Sequence, residues 1–355
     1  MPPRHWHVMF GLGWLERGND SNVGVPLLMT SFGMARVFSC AAGIACAAHS
    51  LSAQSAPVAV TDAVTLSLAP GQLAGTLLVP RTDGPVPVVL LISGSGPTDR
   101  DGNGPGGSPG SLRQLAESLA VRQVATLRFD KRGIAGSRAA SIPEEQVTFE
   151  GFADDVVGWM RFLAADGRFS RLIVAGHSEG ALLGLVALRQ APAAAYISLA
   201  GPARPADQVI RDQLAAQLPA PMLVQSDSVF ARLRRGETVD STPPMLAGLF
   251  RRSVQPYLRS WFKYSGQSEL AGLTIPCLVV QGSHDLQVAP AEADLLERAN
   301  PRCRVMRIAG MNHVLKTAPA DMAGQMASYR GPDVPLAPGL ADAIAAFVVT
   351  PGGGR

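Results

Sequence analysis

"RLIVAGHSEGALLGLVALRQ", residues Arg171–Gln190, decides how this chain folds. Leu172–Ala175 is an apolar run with Ile and Val, as suits a buried strand. Ala181–Gln190 is built mostly of helix formers. Between them stands Gly176-His177-Ser178-Glu179-Gly180, a G-x-S-x-G pentapeptide at a strand–turn–helix junction. Short Gly/Ser patterns recur by chance, so an ordinary tight turn is the competing explanation. The context favours a strained turn that lifts the Ser178 hydroxyl above the strand ends. Its glycines stand where side chains would collide with the neighbouring strand and helix.

Outward from this junction, apolar runs alternate with amphipathic segments, the pattern of a mostly parallel sheet covered by helices on both faces. The strands expected are Val64–Leu68, Gly75–Val79, Pro87–Ile92, Val124–Phe129, Leu172–Ala175, Ala195–Leu199, Cys277–Gln281 and Arg304–Ile308. Helices are expected over Ser111–Val121, Phe149–Ala164, Ala181–Gln190, Ala291–Ala299 and Ala341–Val348. Residues 201–272 break the alternation. Ile210, Leu214 and Leu218 lie on one helical face there, and Phe250, Tyr257, Trp261 and Phe262 cluster. The segment is too long for a loop. It is expected to be a helical lid inserted into a core of residues 58–200 and 273–349. Tyr257, Trp261 and Phe262 are expected to form its substrate pocket, with plain core as the alternative.

A serine hydroxyl is a poor nucleophile without a base. Downstream of residue 53 the histidines are His177, His284 and His313. Alternation along the turn points His177 away from the hydroxyl. His284 sits beside Asp285 at the end of "PCLVVQGSHD", and His313 follows the last strand in "RIAGMNHVLK". A loop after that strand can reach back over the sheet, which favours His313 as the base. Asp285 occupies a strand's carboxyl end, where ligand-facing residues of open α/β sheets belong. The order Ser178, Asp285, His313 differs from those of chymotrypsin and subtilisin.

A second stretch, "ISGSGPTDRDGNG" from Ile92 to Gly104, imitates three motifs. A dinucleotide fingerprint fails because Asp99 stands where a third glycine or alanine belongs. A phosphate loop fails because no Lys-Ser/Thr pair follows. Asp99, Asp101, Asn103 and Gly104 resemble half of a calcium loop, yet Gly110 takes the place of the closing acid. These side chains are expected to hold the loop closed by local hydrogen bonds. Asp130 and Arg132 of "DKRG" are expected to form a structural charge cluster.

Taken together, "SGSGPTDRDGN", "RFDKRGIAGS", "GHSEG", "GSHDLQV" and "MNHVLK" resemble the α/β-hydrolase superfamily, and within it bacterial esterases related to the serine-aminopeptidase-like hydrolases. The resemblance runs from about the first strand to the final helix. It implies an eight-stranded sheet with a helical cap after the sixth strand. It also implies an oxyanion hole formed by the backbone N–H groups of Ser95 and Glu179. One departure is Ser93-Gly94, where many relatives carry His-Gly. The expected activity is ester cleavage through an acyl-enzyme, with aminopeptidase, thioesterase or acyltransferase action on the same triad as alternatives. A non-catalytic binding protein on this scaffold would normally lack a triad member. An aminopeptidase would need a carboxylate for the substrate amine, and Glu179 or Glu269 could serve. No metal or organic cofactor is implied.

Charge and composition narrow the partners. The 355 residues carry a formal charge of only +3, with arginines scattered, so no nucleic-acid surface is expected. The four cysteines lack metal-ligand spacing, and the pairing of Cys277 with Cys303 stays open. Residues 34–53 read as an export signal: Arg36, a short apolar run from Val37 to Ala48, and a cleavage site before Gln54. The run is too short to span a bilayer. Residues 1–33 form a leader of unassigned role. A periplasmic or secreted protein acting on a small-molecule ester is the resulting expectation, with a cytoplasmic one as the alternative if residues 34–53 are not a signal.

Overall fold

All eight apolar runs become strands: β1 (Ala59–Leu68), β2 (Gly71–Pro80), β3 (Val86–Ile92), β4 (Ala125–Phe129), β5 (Phe169–His177), β6 (Ala195–Leu199), β7 (Cys277–Gly282) and β8 (Arg304–Ile308). They belong to a computed structural model that describes residues 59–242 and 244–350. The expected leader and signal segment lie outside the described residues. The strands form one sheet in the order β1-β2-β4-β3-β5-β6-β7-β8. β2 pairs antiparallel with β1 and β4. Every pairing from β4 through β3 to β8 is parallel. Parallel neighbours need crossover connections, and these place helices on both faces.

Helices α1 (Ser111–Ala120), α2 (Phe149–Ala164) and α3 (Glu179–Ala187) precede the long interval between β6 and β7. That interval holds α4 (Ala206–Ala215), α5 (Ala220–Arg234), α6 (Ala247–Phe250), α7 (Gln255–Trp261) and α8 (Gly266–Ala271), with no strand among its described residues. Helices α9 (Ala291–Ala299), α10 (Met322–Arg330) and α11 (Leu340–Val349) follow. Strand alternation sorts the core into two layers. Val89, Leu91 and Ile173 face Leu112, Leu115 and Leu119 of α1 and Ile344 and Phe347 of α11. Val88, Leu90 and Val174 face Phe152 and Trp159 of α2, Leu182 of α3 and the insertion's aromatic cluster. Side chains alternate faces along a strand, so a one-residue slip would exchange these two sets.

The parallel strands all point their carboxyl ends the same way, so the loops that follow them gather at one edge of the sheet. Cys277, at the start of β7, and Cys303, just before β8, form a disulfide with Cα atoms 4.6 Å apart. The pairing left open by spacing is therefore made. Among the described residues, no helix is long and apolar enough to cross a membrane.

Candidate active site

Ser178 lies between β5 and α3 with φ 55° and ψ −123°, a conformation L-residues adopt only under tight constraint. The two flanking glycines are what make the turn possible. A Cβ on Gly176 would fall 2.0 Å from the Gly180 carbonyl oxygen, and one on Gly180 would fall 2.4 Å from that of Ile92. No side chain fits at either place. The Ser178 N–H donates to the Leu199 carbonyl at 2.9 Å, tying the elbow to β6.

His313 and Asp285 meet this serine. The Ser178 hydroxyl lies 3.1 Å from His313 Nε2, and His313 Nδ1 lies 2.9 Å from Asp285 Oδ2. All the groups are held from behind. Asp285 Oδ1 accepts the N–H groups of Gln287 and Val288, each at 2.9 Å, and Gln281 Nε2 donates to Oδ2 at 3.1 Å. With those acceptor sites filled, the carboxylate has little freedom to turn away from the imidazole. Beside His313, the buried Asn312 donates to Gln325 Oε1 and Ser328 Oγ of α10, at 3.1 and 2.7 Å. It also accepts the Lys316 N–H at 3.1 Å, so α10 and the loop hold one another. His284 is elsewhere engaged: its Nδ1 donates to the Ala318 carbonyl at 2.7 Å.

Alternation points His177 away from the Ser178 hydroxyl, yet its ring borders the same cavity as Ser178 and His313. Its ring centroid is 4.8 Å from that of His313, and its Nε2 donates to the His313 carbonyl at 2.7 Å. Burial first, and then the adjacent His313 ring, push its pKa down to about 4, so the ring is neutral near pH 7. A carbonyl partner accepts only, which fixes the proton on Nε2. His177 thus bolts the loop bearing His313 to the elbow bearing Ser178.

The two expected oxyanion donors flank the serine. Glu179 opens α3, where a first-turn N–H has no intrahelical partner. A Cβ on Gly94 would come within 3.2 Å of Ser178 Cβ, so the Gly94–Ser95 backbone lies directly against Ser178. Ser178, His177 and His313 open into a cavity of about 100 Å³. Its other walls come from the glycine-rich stretch 94–109, from Ser111, Leu112 and Val314, and from Gln287 and Tyr329, and no Asp, Glu, Lys or Arg lines it among the described residues. Gln287 Nε2 donates to the Tyr329 hydroxyl at 2.7 Å, so this wall is itself tied together.

Tyr257, Trp261 and Phe262 are not brought to this cavity. They are 2%, 6% and 7% exposed and belong to the core. Trp261 stacks on Phe149 at 6.2 Å, Tyr257 packs edge-on to Phe152 at 5.6 Å, and Phe262 meets Phe230 at 5.9 Å. The expectation that they form the substrate pocket is corrected: large apolar rings release more free energy inside a packed layer than lining a wet cleft. The insertion reaches the site indirectly, through Gln213 Nε2 donating to the Gln287 carbonyl at 2.9 Å.

The acidic loop is stitched together internally. Asp99 Oδ1 accepts the N–H groups of Asp101 and Asn103 at 2.8 and 2.9 Å, and Asn103 Oδ1 accepts that of Gly110 at 2.9 Å. Asp101 pairs with Arg128. Asp130 takes Arg100 at 2.6 Å and the Gly136 N–H at 2.9 Å, and Arg132 forks onto Asp155. Lys131, between them, is buried against Glu179.

Residues 103–317 match the family described as serine aminopeptidase, S33. Esterase EstD of Thermotoga maritima is 27% identical over 258 residues, 68% of this chain; the match spans 58% of that protein's length. Among solved structures, Est1E from Butyrivibrio proteoclasticus with bound ferulic acid superposes with a TM-score of 0.53 at 17% identity, covering 81% of this chain and 98% of that one. DcsB in complex with its substrate analogue gives 0.55 at 16% identity, covering 83% and 100%. The fold is thus that of the α/β hydrolases, and with well over half its length matched the chain belongs to the serine aminopeptidase S33 family.

Proposed function

We propose that this protein is a serine hydrolase that cleaves carboxylic esters through an acyl-enzyme. The observation that carries the reading is the unbroken relay Ser178 Oγ, His313, Asp285, with links of 3.1 and 2.9 Å, opening on a cavity without charged side chains. In the first step His313 Nε2 takes the Ser178 proton as the oxygen attacks the ester carbonyl. Asp285 holds the other imidazole N–H and stabilises the imidazolium. The N–H groups of Ser95 and Glu179 receive the oxyanion, each contributing about 3–4 kcal/mol if it acts as such donors do elsewhere. His313 then protonates the leaving alcohol, and water releases the acyl group by the same steps in reverse.

The family description raises an aminopeptidase alternative, which needs a carboxylate for the substrate's ammonium. Neither candidate supports it. Glu179 is buried and paired with Lys131. Glu269 pairs with Arg189 at 2.6 Å beside a separate groove. An uncharged ester fits the cavity better than an amino-terminal peptide does. The relative named an esterase supports the same choice. Nitrophenyl acetate and butyrate, run beside aminoacyl nitroanilides, test the reading. Ester turnover that Ser178→Ala abolishes is expected, with negligible anilide turnover. Preferential cleavage of the anilides would contradict it.

A further inference from the structure

The mechanism leaves one buried ion pair without a task. Lys131 and Glu179 are 2% and 1% exposed, 3.3 Å apart, under the elbow. Burying two charges costs several kcal/mol for each before their attraction offsets it, so such a pair is weak support for stability. What Lys131 touches says more. Its Nζ also donates to the Gly94 carbonyl at 2.5 Å and sits 5.6 Å from the centre of the Phe152 ring. The Gly94 carbonyl belongs to the same peptide unit as the Ser95 N–H. In a planar trans peptide those two groups point in opposite directions.

We infer that Lys131 is a positioning residue for the oxyanion hole, holding the Gly94 carbonyl inward so that the Ser95 N–H faces the reacting carbonyl. Its counter-ion is the side chain of Glu179, whose own backbone N–H is the other donor. One buried contact therefore joins both halves of the hole, and it joins "SGSG", "DKRG" and "GHSEG" in space. The flanking arrangement suits the task. β3 and β4 are parallel neighbours, so Gly94 and Lys131 leave the sheet at the same edge. A glycine peptide rotates more freely than others, and Gly94 has no side chain to brace it. A charged donor makes a stronger brace than a neutral one.

This inference rests on the ester-hydrolase reading, and the test keeps the two apart. Lys131→Met removes the ammonium while keeping the stem. Glu179 is then left buried with no partner, its other oxygen, Oε1, being unpartnered already. Burial already pushes its carboxyl pKa upward, and without Lys131 it takes a proton. A second variant, Lys131→Met with Glu179→Met, replaces the pair by apolar side chains, an exchange that buried pairs commonly tolerate. Both variants are expected to lose about 10- to 100-fold in kcat with KM unchanged, less than the loss when such a donor is deleted outright. The inhibition constant of an aryl trifluoromethyl ketone, which forms a tetrahedral oxyanion on Ser178, is expected to rise by the same factor. A purely structural pair would not separate kcat and ketone binding from KM. A double variant with native kcat and ketone affinity, or one that does not fold, overturns the inference. Native protein without Ser178-dependent ester hydrolysis would sink the hydrolase reading and this inference with it. Intact native activity beside an unaffected double variant sinks the inference alone.

Discussion

Alanine at His313 is expected to lower kcat by about 10⁴- to 10⁶-fold, while alanine at His284 costs little activity. The two histidines share a sequence neighbourhood but not a task. His313 reaches Ser178 Oγ at 3.1 Å and Asp285 at 2.9 Å. His284 spends its Nδ1 proton on the Ala318 carbonyl and serves the fold of the loop. Losing that bond should cost about 1 kcal/mol of stability. Steady-state kinetics on one activated ester, with urea titrations of both variants, reads both effects. A larger activity loss at His284 would exchange their roles.

Alanine at Trp261 is expected to cost roughly 3–5 kcal/mol of stability and to leave the preference among ester chain lengths unchanged. The ring is 6% exposed, stacked within 5° of parallel on Phe149, and 5.7 Å from Tyr257. It stands in the layer that joins α7 to α2 and is not among the residues that line the cavity. The urea midpoint and kcat/KM for acetate, butyrate and hexanoate esters are the two readouts. A shifted length profile with little change in midpoint would return the aromatic cluster to the substrate pocket. Tyr329→Ala is the counterpart, expected to alter the profile.

The strands were legible because β-branched apolar runs mark buried strands, and the elbow because glycine has a steric reason at Gly176 and Gly180. What stayed hidden depended on partners distant in sequence. The α10 helix has scarcely any apolar face, yet it delivers Tyr329 to the cavity and Gln325 and Ser328 to Asn312. Nothing in "FDKRG" announces that its lysine is buried, since lysine ordinarily stays in water. His177 was misread because alternation describes a regular strand, and at Ser178 the strand has ended in a positive-φ turn. The aromatics of the insertion were misassigned because clustering identifies a contact network without saying whether solvent reaches it. Periodicity reports which side of an element is apolar. It does not report what the other elements bring to it.

Ser178 as the nucleophile of the relay with His313 and Asp285 is open to direct test by intact-mass and peptide-mapping measurements after reaction with a fluorophosphonate. One adduct is expected, located on the peptide containing Ser178, and none in Ser178→Ala protein. An adduct on another serine, or equal labelling of the alanine variant, would contradict it.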